Sequence, residues 1–245
     1  MIHNVLSISK RELKGYFGSP VAYVFIVIFL VLCGFFTFNV SKFYEAGQAD
    51  LRAFFAWHPW LFLFLIPAIA MRLWAEERKT GTIEILLTLP VTVGEAVAGK
   101  FLAAWVFIGI ALALTFPVIL TVLYLGSPDV GTMIAGYVGS LLLAGAYLSI
   151  GSLTSAMTRN QVISFILAVV FCLFLVLAGW PPVVDVLAKW APLPVVRVVA
   201  GLSFMPHYES VQRGVFDSRD LLYYASVIFF MLFANAAVLS TRKAA

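Results

Sequence analysis

Six long apolar runs separated by short polar stretches set the pattern of this chain. They cover roughly residues 20–40, 59–74, 97–125, 133–157, 161–180 and 221–240. A hydrocarbon core of about 30 Å is crossed by about 20 helical residues, so each run predicts a transmembrane helix. The second run is short, but Trp57, Trp60 and Trp74 at its ends suit the two membrane interfaces. Ahead of the first run, Ile2, Val5, Leu6, Leu13, Tyr16 and Phe17 recur at helical spacing, with Lys10, Arg11 and Lys14 away from their face. Residues 2–17 therefore predict an amphipathic helix lying in the membrane interface, ended by Gly18 and Pro20, with its basic residues toward anionic headgroups. The first apolar run is too long for a signal peptide and has no small-residue cleavage site, so it reads as an uncleaved span.

Composition supports this picture. Hydrophobic residues make up 62% of the 245 positions and charged residues 11%, against about 45–50% and about 25% in soluble domains. The fold class is an all-α integral membrane protein, a single transmembrane domain over 1–245. The net charge of +4 is no nucleic-acid signal, because the basic residues sit between apolar runs. Ten of the sixteen Lys and Arg flank the side that holds both termini, the segment 72–100 and Arg159. The positive-inside rule puts that side in the cytoplasm. Charges occur near the ends of the runs and not deep within them, which argues against a proton-coupled carrier. Cys33 and Cys172 lie inside apolar runs and read as small buried hydrophobes.

The fourth run carries Gly136, Ser140 and Ala144 at four-residue spacing, and Gly145 with Ser149 and Gly151 with Ser155. Small residues so spaced let helices approach closely in lipid, either within the chain or at a dimer seam. In the loop 181–220, Val183, Val184, Leu187 and Trp190 share one helical face, and Val195, Val198, Val199 and Leu202 another. They predict two short helices dipping into or lying on the outer leaflet. His207, Glu209, Arg213 and Asp217 follow in the same loop. They read as interface hydrogen-bonding groups rather than a metal site, and no metal is expected.

Between the second and third runs stands Glu76-Glu77-Arg78-Lys79-Thr80-Gly81-Thr82-Ile83-Glu84-Ile85-Leu86-Leu87-Thr88-Leu89-Pro90. A simple connector needs about 2–8 residues. Here a charged cluster leads into a predicted two-turn helix with Gly81 as N-cap and Glu84 at its third position. Ile83, Leu86 and Leu87 line one face, and Pro90 stops it. An apolar stripe exposed to the cytosol calls for a partner or rests on the membrane surface. Further on, Gly94 to Lys100 matches the spacing of a phosphate-binding loop. Phe101 follows where a hydroxyl is needed, and Thr92 with Glu95 forms a capping box that puts both glycines inside a helix.

The run Glu76 to Pro90 leading to Gly99-Lys100-Phe101 resembles the cytoplasmic signature of type 2 ABC transporter permeases. Lys10-Arg11-Glu12-Leu13-Lys14 with Ser19-Pro20-Val21-Ala22-Tyr23 is similar to that family's N-terminus. His207-Tyr208-Glu209-Ser210, Arg213 to Asp217 and Arg219-Asp220 resemble its gliding-motility-associated branch. The resemblance implies two six-helix subunits on two cytosolic ATPase chains, with ATP and Mg2+ bound by those partners and no cofactor on this chain. It makes residues 2–17 an interfacial elbow and 81–89 a coupling helix. It also implies re-entrant helices in the last outer loop and a bacterial inner-membrane location. The family exports polysaccharides, lipids, drugs and proteins, so the cargo stays open. Two other readings are an ion-gradient-driven carrier and a membrane anchor or assembly factor that transports nothing.

Overall fold

In the computed structural model, which describes residues 2–47, 49–81, 91–215 and 217–241, the described residues form helices joined by short turns, with no strand among them. Helix α1 (Ile2–Phe17) precedes α2 (Pro20–Phe35), where Ser19 caps the first turn and Pro20 occupies the position that needs no N–H. α2 continues as a π-helical turn, Phe36–Val40, in which the Thr37 hydroxyl donates to Cys33 O at 2.7 Å. Two short helices, α3 (Phe43–Ala46) and α4 (Arg52–Phe55), lead to α5 (His58–Ala70) and α6 (Arg72–Thr80). Then come α7 (Val93–Ala113), α8 (Phe116–Leu125), α9 (Val130–Met157) and α10 (Gln161–Leu177). Three short helices, α11 (Pro181–Ala188), α12 (Leu193–Gly201) and α13 (Phe204–Gln212), precede α14 (Ser218–Thr241).

Five stretches of the described residues are long and apolar enough to cross a membrane: Pro20–Val40, Arg52–Thr80, Val93–Leu125, Val130–Met157 and Ser218–Thr241. A sixth is made by α10 and α11 together, bent by 79°. The protein is therefore an all-α integral membrane protein with five to six candidate spans. The bend falls at Gly179, which sits so close to Ser203 that an added Cβ would approach it to 2.7 Å. Pro181 and Pro182 follow.

Helix α9 is the axis of the bundle, touching α5, α6, α7, α10, α13 and α14. Its small residues make this possible. A Cβ at Gly136 would enter the ring of Phe55, one at Gly139 would come to 2.8 Å of Val211, and one at Gly151 to 2.5 Å of Ala70. Ala144 and Ser140 are fully buried. Ser140 donates to Gly136 O and meets His58 Nδ1 at 2.7 Å and Tyr208 Oη at 2.9 Å. All these contacts lie within one chain.

Helix α13 is a third short helix in the loop 181–220, where the sequence pattern predicts two. Pro206 lies in its first turn, where no helical N–H is required. Phe204, Tyr208 and Val211 bury the face of α13 that meets α9.

These close approaches predict opposite outcomes for two glycines. Gly151→Val should lower the unfolding midpoint in detergent and cost about 1–3 kcal/mol through overpacking. Gly34→Ala, where a Cβ meets nothing within 4 Å, should leave the midpoint unchanged. Equal thermal midpoints for the two variants would contradict the packing described for α9.

Candidate functional site

The charged segment that drew attention in the sequence forms α6, which starts at a break in the second span. Met71 keeps helical dihedrals and its N–H donates to Pro67 O at 2.9 Å, but it interrupts the regular hydrogen bonding, so the first N–H groups of α6 need other partners. Ser155 of α9 fills the break. Its hydroxyl oxygen accepts from the N–H of Trp74 and of Ala75, both at 3.0 Å, and its proton goes to Met71 O at 2.9 Å. One turn earlier on α9, Ser152 Oγ accepts from the Trp74 indole N–H at 3.2 Å and from Asn235 Nδ2 of α14 at 2.7 Å. Arg78 donates to Ala156 O. One flank of α6 is thus fixed to α9 and α14 by uncharged polar groups and one guanidinium.

The opposite flank is ionic. Lys100 of α7 lies 2.6 Å from Glu77 and 3.4 Å from Glu12 of α1, with its ammonium 5.3 Å from the centre of the Trp74 ring. Its side chain is 4% exposed, and its carboxylate partners are 23–24% exposed. Glu76 pairs with Arg72 at 3.3 Å on the exposed side, and Lys79 is exposed. Gly81 has φ +76° and closes α6 as its C-cap, a left-handed position that suits glycine. The helix that Gly81 is expected to N-cap falls in residues 82–90, outside the described residues. Thr82, Ile83, Glu84, Leu86 and Leu87 lie outside the described residues.

The capping box forms as the sequence indicates. Thr92 N donates to Glu95 Oε2 at 2.9 Å, and Glu95 N donates to Thr92 Oγ1 at 3.2 Å. Gly94, Gly99 and Lys100 are consequently helical and make no phosphate-binding loop. Gly99 has a packing role instead. Ile8 of α1 lies so close that a Cβ there would come to 2.7 Å of its Cγ2. Helix α1 runs along α7 in the same direction, from Asn4 on Glu95 at 3.3 Å to Tyr16 stacked on Phe107 at 5.1 Å. Burial pushes the Tyr16 phenol pKa up, Glu12 adds to the rise and Arg72 opposes it. Lys10, Arg11 and Lys14 point away from α7 into the open, and Arg11 meets Glu12 at 3.2 Å.

At the other end of the molecule the loop residues separate. His207 Nδ1 meets Asp220 Oδ1 at 2.7 Å and its ring stacks on Tyr223 at 4.0 Å. Glu209 and Arg213 are exposed, and Asp217 accepts from the Arg219 N–H at 2.9 Å to start α14.

Three contributors escaped the sequence. Trp74 was expected at an interface, yet it is 1% exposed, because its indole N–H has a partner inside the bundle. Lys100 reads in the sequence as part of a false nucleotide motif and of the family resemblance, and neither points to the ion cluster it centres. Asn235 was hidden in an apolar run, where a lone amide could have signalled a buried hydrogen bond.

The sequence pattern of the family described as ABC-2 family transporter protein matches residues 6–240. The chain belongs to the ABC-2 transporter family. Among individually curated proteins, none matches the chain. ABC-2 permeases are multi-pass membrane subunits rather than ATPases themselves, and the family usually works with a cytosolic ATPase. In this ABC-2 permease, α6 is the helix that enters the segment resembling the family's cytoplasmic signature.

Two substitutions probe how α6 is held. Ser155→Ala should cost about 1–3 kcal/mol, because the buried Trp74 N–H at the start of α6 loses its acceptor. Lys100→Met should cost about 2 kcal/mol, less than for a fully buried pair because both carboxylates are partly wet. Adding Glu77→Gln to Lys100→Met should recover part of that loss. Thermal unfolding in detergent reads all three, and a strictly additive double variant would argue against the ion cluster.

Proposed function

We propose that this chain is the membrane-spanning subunit of an ATP-driven exporter whose ATPase is a separate cytosolic protein. The observation that carries the reading is α6, a charged helix fixed on both flanks that leads directly into Thr82 and the apolar stripe Ile83, Leu86 and Leu87. The stripe docks on the ATPase, and Glu76, Glu77, Arg78 and Lys79 transmit its displacement into α7, α9 and α14. A segment with these anchors moves the bundle when it moves. ATP and Mg2+ belong to the partner.

In this reading residues 1–245 form one permease domain. It pairs with a second permease subunit, of the same or a homologous chain, in the inner membrane of a bacterium. Both termini are cytoplasmic, in keeping with the distribution of Lys and Arg. The basic edge of α1, Lys10, Arg11 and Lys14, faces lipid headgroups. The outer-loop residues His207 to Asp220 ally the chain with the gliding-motility-associated permeases.

The test is co-expression with a P-loop ATPase encoded beside this chain. Leu86→Asp should weaken co-purification roughly tenfold or more, equivalent to about 1.4 kcal/mol. It should also uncouple ATP hydrolysis from transport while membrane insertion stays normal. Undiminished ATPase binding by both Leu86→Asp and Leu87→Asp would exclude this coupling surface.

A further inference from the structure

A cavity of about 570 Å³ opens between α1, α2, α5, α6 and α7, within the range of about 300–1,000 Å³ usual for small-molecule sites. Its two ends differ in chemistry. One wall is apolar, with Val21, Val24 and Ile28 of α2 at 53, 56 and 44% exposure facing Leu65 and Ala68 of α5. Both helices belong to membrane spans, so this mouth opens onto acyl chains. The other end lies where the apolar run of α5 gives way to the charged run of α6. There Arg72 and Glu76 are 42% and 48% exposed, and Glu12 lies across from them.

We infer that this cavity holds a phospholipid whose headgroup carries both a phosphate and a primary ammonium. The acyl region lies against Val24, Ile28 and Leu65. Arg72 binds the phosphate through its planar guanidinium, which suits two-point contact with paired oxygens. Glu76 receives the ammonium, since Glu12 is already held by Arg11 and Lys100. Lys100 is closed to a ligand because it is 4% exposed and already lies between Glu12 and Glu77. The described lining thus carries three carboxylates, Glu12, Glu76 and Glu77, against Arg72 and Lys100. This balance disfavours a headgroup with net negative charge and favours a zwitterion. The Arg72–Glu76 pair is exposed and weak, so it opens readily around a headgroup of both signs.

The experiment reconstitutes the full chain in vesicles of equal parts phosphatidylethanolamine and phosphatidylglycerol. It then extracts the chain in mild detergent and quantifies retained lipid by native mass spectrometry. The ethanolamine lipid should be enriched about tenfold over the glycerol lipid, the ratio that about 1.4 kcal/mol gives. Ala68→Phe narrows the cavity from α5 and should abolish retention. Gly15→Leu narrows it from α1, at a site where a Cβ meets nothing within 4 Å, and should do the same without disturbing the fold. Glu76→Gln should retain lipid but lose the enrichment. Equal or greater retention of phosphatidylglycerol by the unaltered chain would overturn the inference. So would unchanged retention in both cavity-filling variants. A Val24→Cys chain that crosslinks to a second copy while retaining no lipid would show that another subunit covers the cavity, which also overturns it.

Discussion

The structure turns on a constraint of the bilayer: backbone polar groups without water must find partners inside the protein. The second span breaks at Met71 and changes from an apolar helix into a charged one. Such a break frees N–H groups that hydrocarbon cannot satisfy. Ser155 resolves this with a single hydroxyl that accepts from Trp74 and Ala75 and donates to Met71. A hydroxyl reaches so far only if α9 lies almost on top of α5. The glycine at 151, four residues earlier, allows that by taking Ala70 against its backbone. Close packing and hydrogen bonding are therefore one device here. Gly151 sets the distance, and Ser155 uses it.

The ionic flank of α6 works by a different balance. At an effective dielectric constant of about 20, an ion pair at 2.6 Å gains about 6 kcal/mol of gross attraction. Removing the ammonium and its partner from water costs several kcal/mol per ion, so the net gain of the Lys100 cluster is small. Its effect is on position. One ammonium between Glu12, Glu77 and the face of Trp74 fixes α1, α6 and α7 in a single register. The hydroxyl flank stabilises the break itself, whereas the ionic flank chooses which residues stand opposite one another.

Much of this was legible in the chain, for reasons that differ by element. Helical class and five of the six expected spans follow from run length, because lipid admits few alternatives for an apolar stretch of 20 residues; the run 161–180 bends into a second helix instead. The capping box at Thr92 and Glu95 was legible because it is local, four residues within one turn. The small residues of α9 were legible as close-packing positions, but their partners were not. Nothing near Gly136 or Ser140 in sequence indicates Phe55, His58 or Tyr208, which arrive from distant helices. Trp74 was misread because tryptophans at span ends usually sit at interfaces, and only the position of Ser152 makes burial favourable. Lys100 was obscured by a glycine pattern whose true cause is Ile8 packed on Gly99.

The mixed chemistry of α6 follows from where it stands. A helix made wholly of apolar residues at this point would simply lengthen the second span, which already reaches 29 residues from Arg52 to Thr80. At 1.5 Å per residue that is about 43 Å, well beyond a hydrocarbon core of about 30 Å. The excess must leave the bilayer. It does so as a charged turn whose polar groups need protein partners on the buried side and water or headgroups on the other. Trp74, Glu77 and Arg78 have found theirs on α7 and α9. Arg72 and Glu76 pair on the open side, beside a cavity with an apolar wall. The same length excess that forces α6 out of the membrane therefore places a fixed charged helix next to an amphipathic cavity. Both features of the site have one origin in the length and composition of the second span.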